Sequence, residues 1–116
     1  MPIVQSPAGT RYTIDAEIVE RLYVLQWVVQ EKLRLQRGSL TGISDTNFVR
    51  FLDFLRTGVL SPVTWSDVIE LQRLDGYFDH WEFTDALALQ AAELVSNDPS
   101  RLSDLSNRLT YAIKIN

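Results

Sequence analysis

Asp75-Gly-Tyr-Phe-Asp-His-Trp-Glu-Phe83 packs three carboxylates, a glycine and the single histidine of the chain into nine residues. Two chemistries suit such a cluster. One is calcium binding, because an EF-hand loop also carries Asp-Gly at its centre, an apolar residue two positions after the glycine and a glutamate six after it. In that register the first and third ligand positions fall on Leu71 and Arg73, which offer no carboxylate, and Arg73 places a cation where calcium would sit. The other chemistry is acid–base or metal work by His80 with Asp79 and Glu82. One histidine and no cysteine supply neither a bi-histidine motif nor a thiolate site.

A helix start accounts for the same residues. Asp79-His-Trp-Glu82 has the spacing of a cap followed three residues later by an acid, and Phe78 and Phe83 stand where a hydrophobic staple would. Serines occur, but none in Gly-x-Ser-x-Gly, and neither Gly-x-x-x-x-Gly-Lys nor Gly-x-Gly-x-x-Gly is present. The expectation is therefore no catalytic residue, no cofactor and no metal, with a degenerate EF-hand-like, calcium-responsive helical protein as the alternative. The residues that can matter beyond folding are aromatic, since aromatics dominate binding hot spots as well as cores. Tyr23, Trp27, Phe54, Trp65 and Tyr77 are the candidates for a partner interface. Trp65 stands in the first turn of a helix after a proline-containing connection, and Phe54 falls off the apolar stripe of its helix.

The elements that position these residues read as follows. Ile3 to Ser6 and Thr10 to Ile14 are short apolar or β-branched runs around Pro7-Ala-Gly9, a hairpin pattern. Asp15 can cap a helix whose Ile18, Leu22, Leu25 and Val29 form one stripe, while Val19, Tyr23, Val24, Trp27 and Val28 make it apolar on other sides too. Such a helix belongs at the centre of a core or under a partner. Ser39 to Ile43 allows a short strand. Ser44, Asp45 and Thr46 are alternative caps for a helix carrying Phe48, Phe51, Leu52 and Leu55, with Arg56 near its negative end and Gly58 as a left-handed stop. Thr64-Trp-Ser-Asp67 has capping-box spacing and opens a helix with Val68, Leu71, Leu74 and Phe78, ending at Gly76 or shortly after. Phe83, Leu87, Ala91 and Leu94 make the next stripe, and Pro99 starts a last helix through Leu102, Leu105, Leu109 and Ile113.

A chain of 116 residues buries roughly 65% of the surface its unfolded form exposes, enough for one domain without a staple. Apolar residues at 46% and charged ones at 22% are globular proportions. The longest apolar run falls short of the ~20 residues that span a bilayer, and Met1-Pro-Ile-Val-Gln5 lacks the regions of a signal peptide, so an intracellular, cytoplasmic or nuclear setting is expected. A net charge of −4 with the eleven basic residues dispersed argues against nucleic acid as a partner.

In order, hairpin, buried helix, short strand, a helix ending Leu55-Arg-Thr-Gly58 and a helix pair, the chain resembles the BTB/POZ superfamily. That superfamily includes the potassium-channel tetramerisation domains and the Skp-type and elongin C cullin adaptors. Ala8-Gly-Thr-Arg-Tyr-Thr-Ile14 resembles its second strand, Asp45 to Leu60 its aromatic helix, and Asp67 to Phe78 with Glu82 to Val95 its C-terminal helix pair. No match exists to the Asn-Val-Gly-Gly opening of tetramerisation domains. The resemblance implies an α+β fold: a short N-terminal β-hairpin and small sheet packed with about five α-helices, one domain over residues 1–116, core 3–96, additional helix 98–116. It also implies a non-catalytic interaction module, self-associating or acting as an adaptor or scaffold, with a cullin-like ubiquitin-ligase subunit among the partners.

Overall fold

The computed structural model describes residues 3–6, 8–17, 42–78 and 80–115. Of the buried helix expected after Asp15, residues 16–17 are described and are helical; the rest of it, with the interface candidates Tyr23 and Trp27, lies outside the described residues, as do residues 39–41 of the expected strand.

Strands β1 (Ile3–Gln5) and β2 (Arg11–Thr13) pair antiparallel with Val4 opposite Tyr12. The turn closes through Ser6, whose backbone N–H donates to the Thr10 carbonyl at 2.7 Å and whose Oγ accepts from the Thr10 N–H at 3.0 Å. Gly9 sits at φ 102°, where a side chain would be strained. Helix α1 (Asp45–Thr57) starts at Ser44, whose Oγ accepts from the Asn47 N–H, and stops at Gly58, φ 77°, whose N–H donates to the Phe54 carbonyl at 2.7 Å. Helix α2 (Trp65–Phe78) opens on a reciprocal capping box with Asp67 in place of the usual glutamate. The Thr64 N–H donates to Asp67 at 3.0 Å and the Asp67 N–H to Thr64 Oγ at 3.3 Å.

Helix α3 (Trp81–Asn97) begins one residue later than the sequence suggests. His80 is its cap, accepting at Nδ1 from the Phe83 N–H at 3.1 Å. Any acceptor in an extended cap residue can take that N–H, and a neutral imidazole nitrogen is one. The expected last helix is two pieces: a 3-10 turn (Pro99–Asp104) and α4 (Asn107–Ile115). Gln72 holds the break, donating to the Asp104 carbonyl at 3.1 Å and accepting from the Ser106 N–H at 2.8 Å. These are the backbone groups an uninterrupted helix would pair for itself.

α3 packs against both α2 and α4, and α1 against α2. Phe51 stands at the centre, stacked on Phe78 at 4.9 Å and edge-on to Phe83 at 4.8 Å. Leu71, Leu74, Leu87 and Ala91 close around them, and α4 adds Leu109 and Ala112. The C-terminal segment is thus part of the core rather than an addition to it.

The α+β expectation is overturned. Among the described residues the sheet is a two-stranded hairpin of three residues a side, and the rest is a small helical globule. Gly42 and Ile43 form no strand; Ile43 is a buried core residue. A BTB/POZ arrangement needs a sheet broad enough to serve as a packing surface, whereas among the described residues the hairpin segment brings the buried Ile14, just beyond β2, and the partly buried Tyr12 to this core. The Arg-Thr-Gly ending that suggested the family is a helix stop of general use: a cation near the negative end and a glycine in the left-handed region.

Candidate partner-binding groove

Three polar junctions hold the helices in register. Between α2, α3 and α4, the buried Asp75 carboxylate accepts from Arg108 Nε at 3.0 Å and from the Thr84 hydroxyl, while Arg108 Nη2 lies 2.9 Å from Thr84 Oγ1. Between α1 and α2, Asp67 accepts from Asn47 at 3.2 Å and faces the Arg50 guanidinium at 3.4 Å. Burial pushes the Asp67 carboxyl up, but the Thr64 N–H, Asn47, the Thr64 hydroxyl and Arg50 together outweigh it and leave the group below the usual carboxylate range. Between the hairpin and α1, Asp45 accepts from Ser6 Oγ at 2.6 Å and from the Thr10 hydroxyl. Those two bonds, with one from Tyr12, hold its carboxyl below the ordinary range. Burial, then the Asp45 charge, raises the Tyr12 phenol in turn.

The Asp75 junction also disposes of the calcium loop. Residues 71–78 are the last two turns of α2, and the Asp75 carboxylate already faces a guanidinium. The described residues form no EF-hand loop, and no cluster of three metal-ligating side chains occurs among them.

The interface candidates separate once placed. Phe54 is 4% exposed and packs edge-on to Phe83 at 5.4 Å, so it is a core residue. Its position off the narrow stripe reflects the breadth of the buried face of α1, which takes in Phe48, Phe51, Phe54 and Leu55. Trp65 is half-buried against the core under the Arg101 guanidinium, 5.5 Å from the ring centroid. Arg101 is held there by the Leu94 carbonyl at 3.1 Å. Tyr77 lines a groove.

That groove is shallow, about 610 Å³, between the second half of α2 and the break before α4. Gln72, Arg73, Gly76 and Tyr77 form one wall, and Asp104, Leu105 and Ser106 the other. Gln72 fixes the walls to each other through its two backbone bonds. Gly76 is helical and exposed, and a Cβ there would meet nothing within 4 Å. A glycine inside a helix costs about 1 kcal/mol against alanine, and here it leaves the wall bare beside the Tyr77 ring. The aromatic is flanked by a cation on its own helix and an anion across the groove. Sequence reasoning reached Tyr77 but not Asp104 or Ser106, because the break that brings them opposite α2 is made by Gln72, a surface-type residue with no pattern to announce it.

A second pocket of about 200 Å³ lies between β2 and α1, lined by Tyr12, Ile14, Leu52 and Arg56 among others. No helix among the described residues is long and apolar enough to cross a membrane. Comparison with known proteins adds no relative: no family model, no curated protein and no solved structure matches the chain.

Proposed function

We propose that the chain is a non-catalytic protein–protein interaction module that self-associates through the groove beside Tyr77. The observation that carries the reading is the placement of Arg73 and Tyr77 on one wall opposite Asp104 and Leu105 on the other. A two-fold interface is self-complementary: each contact from residue i to residue j is repeated from j to i. A groove holding both signs of charge pairs with a second copy of itself, Arg73 of each copy meeting Asp104 of the other around two Tyr77 rings. Tyr and Arg are also the residue types that concentrate binding energy.

Mutual pairing of this kind needs no ligand and no other protein. The expected cullin-type partner rested on the BTB/POZ fold and is not carried forward. Size-exclusion chromatography with light scattering tests the reading. The wild-type mass rises with concentration toward twice the monomer, and Tyr77→Ala returns it to the monomer without loss of helicity. A wild-type chain that stays monomeric at high concentration overturns the proposal.

A further inference from the structure

The chain contains two Ser-Pro dipeptides, Ser6-Pro7 and Ser61-Pro62, in opposite environments. Ser6 is fully buried and its hydroxyl donates to the Asp45 carboxylate at 2.6 Å. A phosphate there would have no room and would face an anion. Ser61 is exposed in the irregular connection between α1 and α2, and its Oγ accepts from Arg50 Nε at 3.0 Å.

The geometry points to Ser61 as an acceptor for a proline-directed serine/threonine kinase, with Arg50 placed to receive the phosphate. Three features build the site. A residue before proline is biased to extended backbone, the form in which kinases read a substrate strand. The backbone on either side is anchored by Gln90, which donates to the Leu60 and Ser61 carbonyls at 3.0 Å each and accepts from the Val63 N–H at 2.9 Å. The guanidinium of Arg50 is itself oriented by Asn47 and Asp67, so its Nε already points at the serine oxygen.

The step is ordinary phosphoryl transfer from ATP. The bond from Ser61 Oγ to the γ-phosphorus forms, the bond to the β,γ-bridging oxygen breaks to release ADP, and the hydroxyl proton passes to the kinase base. The dianion then competes with Asp67 for Arg50, which couples modification to the α1–α2 junction. This inference is independent of the groove.

The test exposes the folded full-length chain to a recombinant proline-directed kinase and ATP and locates phosphate by mass spectrometry, with peptides spanning each Ser-Pro as controls. The expected result is phosphate at Ser61 and not Ser6 in the folded chain, at both in the peptides, and loss of the Ser61 label in Pro62→Ala. Phosphorus NMR then places the phosphate titration of the folded chain below the value of about 6 usual for a phosphoserine. Unfolding in urea, or Arg50→Gln, moves it back up. An unlabelled Ser61 in either the folded chain or its peptide, equal labelling of Ser6 in the folded chain, or a titration that neither urea nor Arg50→Gln moves overturns the inference.

Discussion

Arg108 reaches from α4 to place its Nε 3.0 Å from the fully buried carboxylate of Asp75 in α2, with the Thr84 hydroxyl of α3 bonded to both. The last helix is thereby held to the two before it by a charge that the core cannot tolerate alone. Removing one partner of a buried pair is costly because the other is stranded, and about 3 kcal/mol is expected for Arg108→Leu, at the low end since Arg108 is about a third exposed. Replacing Asp75 and Arg108 together by leucine costs less than the two single changes summed. Urea denaturation of the three variants measures it; additive losses would show that the pair is not a unit.

The cap of α3 is a second point of leverage. His80→Ala removes the acceptor for the Phe83 N–H and is expected to cost about 1 kcal/mol, while His80→Asp keeps an acceptor and adds an anion at the helix start. Equal stability of the alanine variant and wild type would show that the His80 cap contributes nothing to the fold.

Gly76→Ala is expected to stabilise the chain by up to about 1 kcal/mol, since the backbone is helical and the space open. The same methyl narrows the groove beside Tyr77, so self-association weakens as melting temperature rises. A destabilised variant would contradict the geometry, and a stabilised one that associates normally would contradict the role of the groove.

Acid should loosen the contact between the hairpin and α1. The folded state holds Asp45 below its ordinary value, so it stays ionised to lower pH than in the unfolded chain. The stability it contributes is complete above about pH 4 and is lost as pH falls through the folded value. Asp45→Asn should flatten this part of the stability profile, measured by thermal melts across the acidic range. An unchanged acid slope would assign the effect to other carboxylates.

Much of this architecture can be read from local chemistry. The Ser44 cap, the Gly58 stop, the capping box at Thr64 and Asp67 and the hairpin turn around Gly9 are set by residues near in sequence, and the structure has them where the pattern puts them. What does not follow locally is what depends on distant partners. Gln72 breaks the C-terminal segment from thirty-two residues away, and Asp75 pairs with Arg108 across thirty-three. Phe54 lies off the stripe and is still buried, because a stripe of four positions is narrower than the face a central helix buries. The α+β expectation failed for a related reason: the motifs behind it are caps and stops, which fix where helices end and not what they pack against.

A charge exchange across the groove, read by sedimentation equilibrium, tests self-association directly. Arg73→Glu and Asp104→Arg should each abolish self-association, because every copy then presents like charges to its mate. Mixing the two variants should restore a dimer containing one of each, since both cross-groove pairs are again opposite in sign. If the single variants associate like wild type, or if the mixture stays monomeric while wild type dimerises, the groove is not the surface through which this chain acts.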